Sequence, residues 1–209
     1  IKRPLGIHAR AQKALDGSDH RHHAITRCLG CYDTGLGFGA LYLHHFLVMI
    51  REATTADWPN IWPIFNEITK AGDTYAYPVD TDIETAESLW MKKPDRTFVF
   101  EEDGEILGTY YLKTNHDGPG QHVCNCGYMV SGKARGKGLA RRMCEHSQII
   151  AREMGYRAMQ FNFVASSNEV AVSLWQKLGF EIVGRLPKAF DHPTQGFVDA
   201  FVMYKWLDD

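Results

Sequence analysis

The stretch Arg135-Gly136-Lys137-Gly138-Leu139-Ala140 places two glycines between basic residues and begins a segment with a helical pattern. It follows the apolar run Tyr128-Met129-Val130, which is typical of a β-strand. Glycine allows positive φ angles, which let successive backbone N–H groups point to one spot, and the N-terminus of the following helix adds partial positive charge. We therefore expect residues 135–140 to bind an anion such as a pyrophosphate.

Two common phosphate-binding motifs do not describe this stretch. No Gly-Lys-Ser/Thr follows the glycines, which excludes a Walker loop, and the Gly-x-Gly-x-x-Gly spacing of a dinucleotide fold is absent. Taken alone, the stretch is as compatible with a basic connecting loop as with an anion site.

A second motif favours the anion site. Residues 168–175 form an amphipathic segment that begins at Asn168, and Leu178-Gly179-Phe180 follows it. Together with Arg135-x-x-Gly138-x-Ala140, this arrangement resembles the GCN5-related N-acetyltransferase (GNAT) family. The first motif corresponds to the family's loop for the pyrophosphate of acetyl-CoA, and the second to its last helix and the turn after it. The resemblance covers Met49 to the C-terminus and implies an N-acetyltransferase with acetyl-CoA as cosubstrate.

The elements predict an α/β fold with a mixed central sheet and helices on both faces, and the resemblance implies that this sheet is the mostly antiparallel one of the GNAT fold. Asp103-Gly104 is a strong signal for a hairpin turn between two of the strands. The predicted strands are residues 49–53, 97–102, 105–113, 122–131, 158–164, 180–186 and 198–206. The predicted helices are residues 57–72, 82–90, 138–154 and 168–179.

Residues 1–48 differ in composition from the rest of the chain. They contain six Lys or Arg against three Asp and no Glu, which leaves 17 basic and 22 acidic residues in 49–209. We expect residues 1–48 to be a non-domain N-terminal extension, an artefact or a disordered segment, with a targeting peptide as the alternative. Residues 49–209 are expected to form one N-acetyltransferase domain, whose acidic balance argues against nucleic acid as a partner.

The cysteines indicate a reducing compartment. The chain has five, an odd number without regular spacing, which argues for free thiols and a cytoplasmic protein. Cys28-x-x-Cys31 has the spacing of a zinc ligand pair, but no second well-spaced pair exists, so no metal site is expected. No apolar run approaches the about 20 residues of a membrane span, so no membrane partner is expected. A homodimer is left open.

The resemblance also locates the thioester. It implies a gap between the strands that end at Val130 and Val164, with the backbone N–H near Met129–Val130 facing the thioester oxygen as an oxyanion donor. The residues expected to bind acetyl-CoA are then Met129, Val130, Asn168 and the loop residues Arg135, Gly136, Lys137, Gly138, Leu139 and Ala140.

The chain departs from many relatives at two catalytic positions. Where they carry a Glu base on the central strand, residues 122–128 hold no carboxylate, and Trp175 stands where a Tyr acid is usual. Indole cannot serve as that acid, so we expect catalysis by positioning, with water accepting the proton. The alternative is a histidine base, either His122 or His192. The latter belongs to Phe190-Asp191-His192-Pro193, predicted to be a loop closing one side of the site.

Two strand asparagines are the candidate catalytic residues. Asn125 lies in the central strand and Asn162 in the neighbouring one, where a buried amide needs hydrogen-bond partners. With residues 72–78, they resemble the subgroup that contains the yeast acetyltransferases of proline analogues such as azetidine-2-carboxylate, which uses a matching asparagine pair. The alternative is that each amide only bonds to nearby backbone.

The loop between the first two helices is expected to cover the acceptor. Thr74, Tyr75 and Tyr77, with Asn125, are the predicted substrate-binding residues, although an aromatic plug of the core is an equal alternative for the tyrosines. The predicted function is transfer of an acetyl group to the amine of a small molecule, such as an amino acid or its analogue. A protein or peptide N-acetyltransferase and a non-catalytic acyl-CoA-binding module are the alternatives.

Overall fold

The computed structural model describes residues 48–208. This part of the chain forms seven strands and four α-helices. The strands are β1 (Val48–Glu52), β2 (Arg96–Glu102), β3 (Glu105–Thr114), β4 (Val123–Val130), β5 (Ala158–Ala165), β6 (Glu181–His192) and β7 (Gly196–Trp206). The helices are α1 (Trp58–Ala71), α2 (Ile83–Glu87), α3 (Leu139–Glu153) and α4 (Glu169–Lys177), and a π-helical turn, Ser88–Lys92, continues α2.

The strands form one sheet in the order β1-β2-β3-β4-β5-β7-β6. All neighbours are antiparallel except β4 and β5, which run parallel because α3 connects them as a crossover. The predicted fold, a mixed and mostly antiparallel sheet, is confirmed.

Helices cover both faces of the sheet because each strand alternates the direction of its side chains. On β3, Tyr110 packs into the core beneath α3 and α4, whereas Tyr111 packs on the other face with α1 and the π-helical turn. Residues Ile61 and Phe65 on α1 and Trp90 on the π-helical turn are fully buried in this second core. The face that carries Tyr111 also carries the acceptor side of the candidate site.

Two boundaries that matter for the domain and the site differ from the predicted ones. β1 begins at Val48, which pairs with Glu102, so the first strand starts one residue earlier than expected. The other predicted residues of the N-terminal extension, 1–47, lie outside the described residues. The prediction of a loop at residues 190–193 is wrong, because β6 continues to His192, which pairs with Gly196 in a hairpin with β7. The register of β6 with β7 shifts between Leu186 and Phe190, and pairing continues from Phe190, which lies opposite Val198.

Candidate active site

The predicted pyrophosphate loop has the backbone geometry that its glycines suggested. After β4, a 3-10 turn at Gly132–Ala134 leads to Gly136 and Gly138, each with a φ of 79°, and α3 begins at Leu139. Residues other than glycine adopt this φ rarely and with strain, so glycine is strongly favoured at both positions.

Several N–H groups of this loop are available to a ligand. Those of Arg135 and Lys137 donate to the carbonyls of Gly132 and Ala134. Within residues 48–208, the N–H groups of Gly136, Gly138, Leu139 and Ala140 have no acceptor. A Cβ placed at Gly136 or Gly138 would meet no atom within 4 Å, so open space lies beside these donors. Unpaired N–H groups at a helix N-terminus, with space beside them, fit a pyrophosphate.

The basic side chains of the loop lie at the surface. Arg135, Lys137 and both glycines are exposed, whereas Leu139 is buried in the core and fixes the start of α3. The Arg135 guanidinium lies 3.9 Å from the Glu67 carboxylate. The unpaired N–H groups of the backbone are thus the candidate ligand-binding groups of this loop.

The two parallel strands separate after three residue pairs. β4 and β5 are in register only from Val123 with Ala158 to Asn125 with Gln160. Beyond this point β5 contains a bulge between Phe161 and Val164, where its register with β7 shifts by one residue. A bulge bends its strand, so the halves of β4 and β5 that follow diverge. The predicted gap between the two strands is present.

The hydrogen-bond register shows which groups of β4 face this gap. The N–H of Ser131 donates to the Leu107 carbonyl, and that of Asn115 donates to the Val123 carbonyl. Odd-numbered residues of β4 therefore pair with β3, and even-numbered ones direct their backbone groups to the gap. The register thus favours Val130 as the oxyanion donor, because the backbone of Met129 pairs with Thr109.

Asn125 lies at the vertex where the strands separate. Its side chain is only 6% exposed, its Nδ2 donates to the Gln160 carbonyl at 2.9 Å, and its Oδ1 accepts from the Tyr111 hydroxyl at 3.0 Å. Both ends of the amide are satisfied. Asn125 therefore fixes the opening of the gap and the position of Tyr111 at the same time.

Asn162 lies in the bulge of β5 and is exposed, so the expectation of a buried amide is wrong at this position. The bulge turns its side chain away from the core. Its Nδ2 donates to Asn115 Oδ1 at 2.7 Å, and its Oδ1 accepts from Gln160 Nε2 at 2.8 Å. Both asparagines nevertheless line the same cleft, which has a volume of about 310 Å³.

Aromatic side chains cover this cleft. The hydroxyl of Tyr75 donates to the Tyr128 carbonyl at 2.8 Å, a group that faces the gap, and the rings of Tyr75 and Tyr77 stack at 5.5 Å. Tyr77 also stacks on Phe65 of α1, so this pair packs into the core as well as lining the cleft, and its role as acceptor cover stays a prediction. Thr74 lines the cleft as well, and its hydroxyl donates to the Asp73 carboxylate.

Gly127 makes room for one wall of the cleft. A Cβ at this position would lie 2.7 Å from Cε1 of Tyr111, so the tyrosine ring lies directly over the glycine backbone. The cleft lining also includes three residues that were not predicted from the sequence: Tyr111, Lys113 and Gly127. Alternation along β3 puts Tyr111 and Lys113 on one face, but only the register with β4 shows that this is the face of Asn125.

The lining formed by the described residues contains no carboxylate or histidine that could act as a base near neutral pH. Burial raises the pKa of the Tyr75 and Tyr111 hydroxyls and of the Cys126 thiol, so all three stay protonated. Neither His122 nor His192 lines the cleft, and the His122 Nδ1–H donates to the Pro119 carbonyl.

Trp175 takes a packing position. Only 7% of its surface is exposed, and its ring lies 5.1 Å from that of Tyr128 and 5.3 Å from that of Phe161. Asn168 caps α4, since its Oδ1 accepts from the Ala171 N–H at 3.2 Å, and both of these residues line the cleft. The helix that would carry a tyrosine acid in many relatives thus presents apolar surface here.

The described residues contain no group of side chains arranged to hold a metal ion. Cys28 and Cys31, the pair considered for zinc, lie outside them. Cys124, Cys126 and Cys144 are buried free thiols. No helix in residues 48–208 is long and apolar enough to cross a membrane.

Comparisons with known proteins agree with this geometry. The model of the acetyltransferase (GNAT) family matches residues 48–180. A solved GCN5-related N-acetyltransferase from Kribbella flavida is 45% identical, with a TM-score of 0.73, and the match covers 76% of this chain and 97% of that one. The chain belongs to the GNAT acetyltransferase family, whose cosubstrate is acetyl-CoA.

Two curated relatives are informative about the subgroup. The N-acetyltransferase aca1 of Schizosaccharomyces pombe is 33% identical over 98 residues, which are 46% of this chain and 47% of that protein. The chain thus spans about half the length of this relative. The L-methionine sulfoximine/L-methionine sulfone acetyltransferase of Pseudomonas aeruginosa is 30% identical over 147 residues, covering 66% of this chain and 83% of that protein. The predicted family is confirmed, and the second relative fits the narrower resemblance to enzymes of amino-acid analogues.

Proposed function

We propose that this protein transfers the acetyl group of acetyl-CoA to the amine of a small molecule, an amino acid or an amino-acid analogue. The observation that carries the proposal is the small size of the cleft, about 310 Å³. Tyr75 lines it and is held in place by the hydrogen bond from its hydroxyl to the Tyr128 carbonyl. The Pseudomonas relative, named for two analogues of methionine, supports the same substrate class.

One set of residues would bind acetyl-CoA, and another would position the acceptor amine. The free N–H groups of Gly136 and of residues 138–140 would hold the pyrophosphate, and the gap between β4 and β5 would take the pantetheine as an added strand. The Val130 N–H would hold the thioester oxygen, because it faces the gap. Asn168 and Ala171 would line the far wall of the gap at the start of α4.

Bound acetyl-CoA supplies the reactive group: the amine nitrogen forms a bond to the thioester carbonyl carbon, the C–S bond breaks, and the amine proton ends on the thiol of CoA. Asn125 and the hydroxyl of Tyr111 would aim the amine. Since positioning alone can contribute several kcal/mol, about 7–11 in favourable cases, the site does not require a side-chain base. Water that reaches the exposed Asn162 side would carry the proton.

One experiment separates this function from its alternatives. Release of CoA thiol is measured with azetidine-2-carboxylate, L-methionine sulfone, common amino acids, peptides with free N-termini and no acceptor. We expect turnover with at least one amino acid or analogue and none with peptides. Turnover with peptides alone would establish a protein or peptide N-acetyltransferase. Binding of acetyl-CoA by calorimetry, without turnover on any acceptor, would instead favour the non-catalytic acyl-CoA-binding module.

The cytoplasmic location and the homodimer stay predictions. Neither is used in the assignment of the substrate class, which depends on the cleft within one chain.

A further inference from the structure

The acceptor cleft carries a single ionised side chain. Lys113 is the one lysine in its lining, and the lining formed by the described residues contains no Asp, Glu, Arg or His. The other contributions are backbone, amide, hydroxyl and aromatic groups. A cation with no carboxylate beside it in the lining attracts an acceptor that bears a negative charge.

Lys113 stands beside the residue proposed to aim the amine. It lies directly opposite Asn125 in the register of β3 and β4, and the side chains of such a pair share one face of the sheet with Cβ atoms about 5 Å apart. Its Nζ lies 5.5 Å from the centre of the Tyr111 ring, which places the charge over the wall of the cleft.

The charge of Lys113 has no protein partner in residues 48–208. Other lysines of this region form ion pairs, such as Lys92 with Glu87 and Lys133 with Glu105. Lys113 forms none, although its side chain is half-buried against an aromatic ring. An ammonium kept partly from water and without a counter-ion is suited to bind a carboxylate that arrives with the substrate.

We propose that Lys113 binds the carboxylate of an amino-acid acceptor and thereby selects amino acids over amines and peptides that lack a carboxylate near the amine. This inference rests on the proposed function. The distance between the amine and the carboxylate is short in an α-amino acid, as is the distance between the neighbouring positions of Asn125 and Lys113 on the sheet. The ammonium also disfavours a second positive charge nearby and so favours the neutral, nucleophilic form of the amine.

The test compares acids with their carboxamides. Values of kcat/KM are measured for L-methionine sulfone and azetidine-2-carboxylate, each beside its own carboxamide, with wild type, Lys113→Met, Lys113→Arg and the control Lys92→Met. For wild type we expect the acid to be preferred at least about tenfold, the size of one charge-assisted hydrogen bond. Lys113→Met should remove that preference by raising KM for the acid alone, Lys113→Arg should restore part of it, and Lys92→Met should retain it.

Failure of this inference differs from failure of the proposed function. Wild type that acetylates acid and carboxamide equally overturns the role of Lys113 but leaves an amino-acid acetyltransferase, and this comparison needs no variant. An unchanged acid preference in Lys113→Met, with an unchanged melting temperature, has the same meaning. Acetylation of peptides alone overturns both proposals. The affinity for acetyl-CoA, measured by calorimetry, should be equal in all four proteins, because Lys113 lies on the acceptor side.

Discussion

The pyrophosphate loop (residues 135–140) and the acceptor cleft differ in the groups that they offer to a ligand: the loop offers backbone groups and the cleft offers side chains. The loop offers unpaired backbone N–H groups from four of its six residues and leaves its basic side chains exposed. The cleft is made of side chains from β3, β4, β5, α4 and the loop after α1, and most of them are aromatic or amide groups. The loop therefore tolerates changes of side chain but not of backbone, and the cleft is expected to respond in the opposite way.

The largest effect is expected from Gly138→Glu. The new side chain would force strain on a residue with a φ of 79° and bring a carboxylate to the anion site. Loss of two charge-assisted hydrogen bonds of about 1.5 kcal/mol each would weaken acetyl-CoA binding about 100-fold, as measured by calorimetry.

Gly155→Glu is the matched control for this change. Gly155 has a φ of 89° and equally open surroundings, but it follows α3 at the end remote from the loop. The two variants should lose similar stability, and only Gly138→Glu should lose affinity. Arg135→Ala should weaken binding by less than about fivefold, because an exposed charge contributes little. A larger loss from Arg135→Ala than from Gly138→Glu would mean that side chains, not the backbone, hold the pyrophosphate.

The second largest effect is expected in the cleft, from Asn125→Ala. The change removes the hydrogen bonds to Tyr111 and Gln160 that fix the vertex of the gap. We expect kcat to fall by about tenfold to 100-fold, equivalent to 1–3 kcal/mol for a buried polar contact, while the Kd of acetyl-CoA stays near that of wild type. The melting temperature should also fall, because the Gln160 carbonyl loses its partner.

Asn162→Ala is the companion variant. Its amide is exposed and bonds only to other side chains, so the melting temperature should change little and kcat should fall less than in Asn125→Ala. Steady-state kinetics of both variants and of His122→Ala, on one accepted substrate, decide between positioning and a histidine base. If His122→Ala were the most impaired and Asn125→Ala nearly normal, catalysis by positioning would be wrong.

The loop consists of consecutive residues and the cleft of residues from separate elements, and this difference explains what could be predicted from the sequence. The loop is local: spacing of Gly136 and Gly138 after an apolar strand predicts its conformation, and the structure shows the positive φ angles at both. The family motif adds the fold and the gap between the strands. Gly127 gave no such signal, because its role is to leave room for Tyr111, which lies 16 residues earlier on another strand.

The incorrect predictions have the same origin. Asn162 was expected to be buried because residues 158–164 form an apolar run, but a one-residue bulge within β5 turns the amide outward. The loop predicted at residues 190–193 is strand because β7 offers partners from Gly196 to Val198. In each case the outcome depends on a neighbouring strand, which a pattern along one segment does not contain.

A smaller effect is expected from Tyr75→Phe. The ring would keep its stacking on Tyr77, and only the hydrogen bond to the Tyr128 carbonyl would be lost. We expect KM for the amine to rise about fivefold, since a neutral hydrogen bond contributes about 1 kcal/mol, with no change in acetyl-CoA affinity. Tyr156→Phe, which removes a hydroxyl bonded to Asp95 away from the cleft, is the control and should leave KM unchanged. An unchanged KM in Tyr75→Phe would show that the hydrogen bond from Tyr75 to the Tyr128 carbonyl is not needed for acceptor binding.

The smallest effect is expected from pH acting on the cleft itself. Burial raises the pKa of the Tyr75 and Tyr111 hydroxyls and of the Cys126 thiol. Because a raised pKa of a neutral acid delays its ionisation to higher pH, these groups keep one protonation state from about pH 6 to 9. The value of kcat/KM should then rise with pH only as the free amine loses its proton. The midpoint of this rise should lie near the pKa of that amine, and the plateau should lie above it. Two accepted amines whose pKa values differ by about one unit should give midpoints that differ by the same amount. A midpoint that stays near about 6.5 for both amines would instead reveal a histidine in the protein and assign the proton transfer to it.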